Sequence, residues 1–357
     1  VRSLLVDVGA GTMDVLYEDD GAGLQYKAVV RSPVQSLAEA AVQIPGNLAV
    51  CGLEMGGGPI TEVLRERCRS HEVVISESAS ATLHHDPERV RGWGLTIVDD
   101  DDIDAWTRRP GFSQLTLGDL EPERLRSIVT AFGVPFDFDV FGFCAQDHGV
   151  PPAGESHLDY RHRLFRARLD DNPRPEQLLY RDRELPRTFN RLAGASRIAK
   201  RMTAGEVWVM DSGMAAILGA SLDESARHCR RCLLLDVATS HTVGALLENG
   251  QIAGFFEYHT RDITRERLEV LLEALAEGRL THEGILAEGG HGAYIRHGVG
   301  RSAVEAIVAT GPKRDLLRGS RLPVVFGAPL GDNMMTGTGG LLEAIRRRKE
   351  AGLKTRG

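Results

Sequence analysis

Two stretches of this chain, far apart in sequence, carry the same arrangement of carboxylate, tight turn and hydroxyl. In Leu4-Leu5-Val6-Asp7-Val8-Gly9-Ala10-Gly11-Thr12-Met13-Asp14 an apolar strand ends in Asp7, turns through Gly9 and Gly11 and resumes at Thr12. In Leu233-Leu234-Leu235-Asp236-Val237-Ala238-Thr239-Ser240-His241-Thr242 a second apolar strand ends in Asp236 and resumes at Thr242. A carboxylate closing such a strand can hold a hydrated divalent ion, and a glycine turn beside it exposes backbone N–H groups to phosphate. Facing each other across a cleft, Asp7 and Asp236 would orient the ion, while Gly9, Gly11, Thr12 and Thr242 would contact a phosphate chain. Either turn alone reads equally well as a β-turn whose Asp and Gly only satisfy turn geometry. The repetition favours the phosphate reading.

The elements that must position these groups are legible around them. Each turn is followed by a second strand, a reversal at Gly21-Ala22-Gly23 or Asn249-Gly250, and a third strand, and Gly21 stands as far beyond Asp7 as Gly250 stands beyond Asp236. Between the copies, a strand near 48–52, the turn Gly56-Gly57-Gly58-Pro59 and a helix from Ile60 follow in order. The glycines there could cradle an anion at the helix N-terminus or simply allow a tight packing turn. A helix from about Pro122 to Phe132, a strand ending at Cys144 and the corner Gln146-Asp147-His148-Gly149 come next. The Pro-, Arg- and Asp-rich stretch 151–187 lacks periodicity and reads as an irregular surface excursion. A helix over 187–201, a strand over 206–210 and a small-residue helix over 213–219 lead to the second hairpin unit. An amphipathic helix over 265–276, with Thr264 as N-cap, covers the second sheet, and a helix from about Thr338 ends the chain. Alternating strands and helices make an α/β protein.

Composition sets outer limits. A chain of 357 residues with 42% apolar content is long enough for two cores. Its net charge of −7 and 6% aromatic content offer neither a basic face nor a stacking surface, so nucleic acid is not an expected partner. No apolar run spans a bilayer and no signal-peptide pattern opens the sequence, which argues against membrane association and for the cytoplasm. The 5 scattered cysteines, Cys51, Cys68, Cys144, Cys229 and Cys232, fit free thiols in a reducing compartment. Asp99 to Asp102 reads as a solvated loop.

The order of these features resembles the actin-like ATPase superfamily of actin, heat-shock chaperone ATPase domains and sugar kinases. Asp7 to Asp14 resembles its first phosphate motif, Asp211 to Ala220 its first connecting helix, Asp236 to Thr242 its second phosphate motif, Thr310-Gly311-Pro312 its adenosine turn, and Thr336 to Ile345 its second connecting helix. The resemblance implies a duplicated, two-lobed, ribonuclease H-like α/β fold with a nucleotide cleft between lobes. It divides the chain into a first lobe over 1–210 with the insertion at about 151–187, a junction over 211–231, a second lobe over 232–335, and a C-terminal helix and basic tail over 336–357. It implies ATP and magnesium as cofactors, Thr310, Gly311 and Pro312 bordering the adenosine, and Asp211 activating the attacking water or hydroxyl. It also brings Gln146, Asp147, His148, His241, His259 and His291 toward the cleft. With Asp7, Asp147, Asp211 and Asp236 these histidines could form a metal site or acid–base relay, or they could satisfy turns by hydrogen bonding.

A closer resemblance covers nearly the whole chain. Glu54-Met55-Gly56-Gly57-Gly58-Pro59, Gln146-Asp147-His148-Gly149, Phe256-Glu257-Tyr258-His259-Thr260, Leu280-Thr281-His282-Glu283, Gly289-Gly290-His291-Gly292 and Thr310-Gly311-Pro312-Lys313-Arg314 are similar to strings of an uncharacterised prokaryotic family labelled as related to pyruvate formate-lyase activating enzyme. Radical chemistry of that type needs a C-x3-C-x2-C cluster ligand set, and here Ser225 stands before Cys229 and Cys232. No iron–sulfur cluster and no radical enzyme are expected. The second phosphate motif departs from its pattern, with Ala238 and Ser240 where glycines would leave bare backbone. Three readings follow: an ATPase or small-molecule kinase, a nucleotide-responsive module closing on a partner protein with catalysis weak or lost, and a histidine-dependent metalloenzyme. The sequence leaves acceptor, partner and oligomeric state undetermined.

Overall fold

The apolar and alternating runs at the N-terminus form an antiparallel meander in the computed structural model, which describes residues 1–152, 154–203 and 205–354. Its strands are β1 (Arg2–Val8), β2 (Thr12–Asp19) and β3 (Leu24–Arg31). β1 is covered on both faces, which is why Leu4, Leu5 and Val6 are apolar in succession. The chain then leaves the sheet. Helix α1 (Pro33–Gln43), capped by Ser32, precedes β4 (Asn47–Gly52), and α2 (Pro59–Arg67) precedes β5 (Val73–Ser76), β6 (Thr96–Val98) and β7 (Phe112–Leu117). These four parallel strands form their own sheet, ordered β6-β5-β4-β7, with a separate apolar core. Only β4 and α2 were legible in this region, because strands of three and four residues carry too little periodicity to read.

The chain returns as β8 (Val140–Ala145), parallel to β1. Helix α3 (His157–Leu169) follows, then β9 (Leu179–Arg181), α4 (Asn190–Met202) and β10 (Glu206–Asp211), which lies parallel to β8. The first sheet therefore runs β3-β2-β1-β8-β10-β9. The expectation of an irregular 151–187 is corrected by α3, a helix of 13 residues. Its buried face includes Arg161 and His162, so polar residues stand where apolar periodicity was sought.

Helix α5 (Ser212–Ala220) crosses to the second sheet of β11 (Arg231–Val237), β12 (His241–Glu248), β13 (Gln251–His259), β14 (Gly292–Ile295), β15 (Ala306–Thr310) and β16 (Val324–Phe326). Its order is β14-β13-β12-β11-β15-β16. Here too a three-stranded antiparallel meander is continued on the far side of its first strand by parallel strands. This repeated order is the duplicated, two-lobed, ribonuclease H-like α/β fold of actin-like proteins. Helix α6 (Arg265–Ala276), capped by Thr264, buries Leu268, Leu271, Leu272 and Leu275 against the second sheet.

The last helix, α7 (Thr336–Lys354), crosses α5 in near backbone contact. A Cβ on Gly219 would lie 1.9 Å from the Thr336 carbonyl, and one on Gly340 would lie 1.8 Å from the Ala215 carbonyl. Both positions exclude any larger residue. The crossing joins the first lobe to one face of the second in a single apolar cluster, in which Leu5 and Phe141 share a core with Leu234 and Phe255. Residues 355–357 of the basic tail lie outside the described residues. Among the described residues, no helix is long and apolar enough to cross a membrane.

Candidate functional site

The duplication brings the ends of β1 and β11 to one cleft of about 720 Å³. On its first side the turn after Asp7 is braced from α1, where Ser32 Oγ donates to the Gly9 carbonyl at 2.6 Å and Gln35 Nε2 to the Ala10 carbonyl at 3.0 Å. On the other side, Thr260 Oγ1 donates to the Ala238 carbonyl at 2.8 Å. The two turns nearly touch: a Cβ on Gly11 would lie 3.0 Å from Thr239 Oγ1. Asp7 is pressed against the start of α7, where a Cβ on Gly337 would lie 1.9 Å from Asp7 Oδ2. Gly311, at φ +87°, turns under the second strand end, where a Cβ would lie 2.9 Å from Asp236 Oδ1.

Three carboxylates gather at the turns, and all are pushed toward the neutral form. Burial raises Asp7 to about 7; the neighbouring Cys144 thiol pulls it back, Asp236 repels it further, and Arg191 pulls it back. Burial and then the Asp7 charge raise Asp14 to about 8. Burial raises Asp236 to about 6 against the hydrogen bond from Thr310 Oγ1 at 2.9 Å. Asp7 Oδ1 and Asp14 Oδ1 are buried without a hydrogen-bond partner among the described residues. Desolvated carboxylates with spare lone pairs are the donor set of a hard divalent cation. Asp14 was not singled out as a ligand, although the hairpin register sets it directly opposite Asp7.

Of the residues expected at the site, Asp7, Gly9, Gly11, Thr12, Gln146, Asp147, His148, Asp236, His241, His259, His291, Gly311 and Pro312 line this cleft. Thr242 and Thr310 do not. Thr242 is fully buried, with its Oγ1 3.0 Å from Thr260 Oγ1, so it holds the second turn from behind and does not reach toward phosphate. Thr310, also fully buried, anchors Asp236 beneath the cleft. Asp211 is buried as well, and both of its oxygens are engaged. Oδ1 caps α5 through the Met214 N–H at 3.2 Å, and Oδ2 receives Arg161 Nη2 at 2.7 Å. A carboxylate so held is committed to the helix cap and the arginine, and it does not line the cleft.

Arg161, 1% exposed on α3, is the partner that sequence reasoning missed. Its other terminal nitrogen donates to Glu257 Oε2 on β13, so one guanidinium ties α3, the first sheet and the second sheet together. Burial works against ionisation at Glu257, but Arg161 and His291 hold it well below the usual carboxylate range. Burial wins at Asp211, which is raised despite Arg161. Gln146 Nε2 donates to Glu257 Oε1 from the first lobe. A second missed pair, Glu54 and His85, borders the cleft with Oε1 to Nε2 at 2.8 Å.

Four histidines, His148, His241, His259 and His291, converge on the cleft, and three of them group tightly. His148, His241 and His291 offer ring nitrogens that all lie within 4.8 Å of one another. His259 pairs with His241 across β12 and β13 and lies 4.3 Å from His291 between ring centroids, yet it falls outside that set of three. Burial pushes the His241 imidazole down to about 3 and His148 well below the ordinary value. Cys229 and Cys232 lie where the chain enters β11; Cys232 is buried and its thiol is pushed up to about 12.

Residues 55–316 match the family model described as "Putative pyruvate format-lyase activating enzyme (DUF1786)". The chain belongs to this family. No curated protein matches it. Among solved structures, the ethanolamine utilization protein EutJ from Carboxydothermus hydrogenoformans is 10% identical, with a TM-score of 0.33 over 96% of this chain and 89% of that one. A Bacteroides thetaiotaomicron protein with actin-like ATPase fold and unknown function is 8% identical, with a TM-score of 0.37 over 94% of each chain. Component A of (R)-2-hydroxyglutaryl-CoA dehydratase from Acidaminococcus fermentans is 12% identical, with a TM-score of 0.32 over 96% of each. Superpositions this loose carry no weight, and the fold assignment rests on the repeated strand order.

Proposed function

We propose that this protein binds a magnesium nucleoside triphosphate between its lobes and acts on the terminal phosphate, as an ATPase or a small-molecule phosphotransferase. The observation that carries the reading is the trio Asp7, Asp14 and Asp236 at two facing turns, with two buried carboxylate oxygens that have no hydrogen-bond partner among the described residues. Magnesium bound there would supply charge neutralisation to the phosphates. Asp7 and Asp236 would orient its shell, the backbone at Gly9 to Thr12 would meet phosphate, and Gly311 and Pro312 would border the adenosine. The activating-enzyme activity named in the family description is not part of this reading, because Ser225 stands where the cluster pattern needs its first cysteine.

A second reading is favoured by the engagement of Asp211 with Arg161 and by Ala238 and Ser240 in the second turn. In it the nucleotide closes the lobes as a switch toward a partner protein, and turnover is weak or lost. Calorimetry of the purified chain with ATP, with and without magnesium, tests the shared premise. Magnesium-dependent binding lost in Asp7→Asn supports both readings, and phosphate release then separates them. Absence of magnesium-dependent binding in the wild type would sink both.

A further inference from the structure

We propose that His148, His241 and His291 hold a divalent transition metal ion, of the zinc class, at the junction of the lobes, distinct from the hard cation site of Asp7, Asp14 and Asp236. The three imidazoles come from separate elements on both lobes. His148 follows β8 of the first lobe, His241 opens β12, and His291 directly precedes β14. Each is placed by backbone structure: His241 sits in register opposite His259, and the His291 N–H donates to the Glu257 carbonyl at 2.8 Å. Their nitrogens lie within 4.8 Å of one another. Metal–nitrogen bonds of about 2.0–2.1 Å place tetrahedral ligands roughly 3.3 Å apart, a difference that modest side-chain rotation closes.

One buried ring nitrogen of this cluster, His241 Nε2, has no hydrogen-bond partner among the described residues. A buried polar atom left without a partner is costly to keep in a folded protein. A metal ion satisfies all three lone pairs at once. The neutral imidazole is the form that ligates. Behind them, Glu257 Oε1 lies 3.5 Å from His291 Nδ1, in the position of a carboxylate that orients a ligating ring. Donor chemistry separates the two sites, since carboxylates suit magnesium and imidazoles suit zinc, copper, iron or nickel. The composition of the second turn also gains a reason. Ala238 and Ser240 crowd a phosphate approach, and the residue that ends this turn is the ligand His241. The open side of the ion faces the cleft, where water or an anionic oxygen of a substrate would complete the shell.

The test uses the full chain, stripped with chelator and titrated with cobalt(II) without nucleotide, so that its outcome is independent of ATP binding. The expected result is one cobalt per chain with the visible absorption of a low-coordinate, nitrogen-ligated ion, unchanged by excess magnesium and displaced by zinc. His241→Gln and His291→Gln should each weaken binding by more than the roughly 10–100-fold typical of outer-shell changes. His282→Gln, in a separate histidine pair with His162, should leave it intact. X-ray absorption of the zinc-loaded wild type should give three imidazole scatterers, a reading that needs no variant. Substoichiometric cobalt, displacement by magnesium, equal binding in folded histidine variants, or fewer than three imidazoles would each overturn the proposal.

Discussion

Replacing Arg161 by Met keeps an unbranched, flexible side chain and removes the charge that bridges two buried carboxylates. Its nitrogens lie 2.7 Å from Asp211 and 2.5 Å from Glu257, and all three side chains are at most 5% exposed. At an effective dielectric of about 20, each contact is worth about 4 kcal/mol of attraction for charge centres about 4 Å apart. Desolvating three charges offsets most of this, so the intact triad adds little net stability. Removing the arginine is another matter, because it leaves two uncompensated charges in place, at a cost of about 3–5 kcal/mol at neutral pH. The loss should depend on pH with a definite sign. Stranded in the variant, both carboxylates acquire folded-state pKa values above their unfolded values, so stability is retained at low pH and lost as pH rises through that window. In the wild type, Glu257 is held low, so its contribution persists from neutral pH down through the ordinary carboxylate range. The gap between the two proteins should therefore widen from about pH 5 to about pH 7.5. Urea unfolding followed by circular dichroism at both values measures it, with Arg161→Lys expected to fall between wild type and Arg161→Met. A loss below about 1 kcal/mol, the range of an exposed pair, or the same loss at both pH values, would refute the reasoning.

Asp7 and Asp14 make an electrostatic prediction of the same sign for the wild-type chain. Both pKa values are raised, to about 7 and about 8, so the metal-free protein should lose stability as pH climbs from about 4 to about 8, and magnesium should flatten that slope. Asp7→Asn should accordingly stabilise the metal-free chain at pH 8 by roughly 1–3 kcal/mol, read as a raised melting temperature. Gly340→Ala should destabilise the helix crossing by about 1–3 kcal/mol or more, because its Cβ would meet the Ala215 carbonyl at 1.8 Å. Gly337→Ala, whose Cβ would displace the Asp7 carboxylate, should weaken magnesium-dependent nucleotide binding more than it lowers the melting temperature.

Several parts of the site could be read from local pattern. The two meanders were visible because strand alternation and hairpin reversals are properties of neighbouring residues, and the small residues of 213–219 announced a close helix contact. The turns carried their carboxylates and glycines in plain order. The four-stranded insertion was hidden by the shortness of β5 and β6. Helix α3 was hidden because its buried face carries Arg161 and His162, which are tolerated there only through partners on other elements.

By itself, then, the sequence determined the repeated architecture and the kinds of donors available: carboxylates and bare backbone at the first turn, a carboxylate and side-chain-bearing residues at the second, and histidines at several corners. Tertiary structure decided which donors are free. Asp211 is neutralised by an arginine 50 residues away, and Thr242 and Thr310 are turned under the surface to hold the turns in place. It also decided that His148 from one lobe meets His241 and His291 from the other. The physical reason is the same throughout. Backbone conformation follows largely from neighbouring residues, whereas the charge state and availability of a buried group depend on whatever the fold packs against it, and those partners leave no local trace.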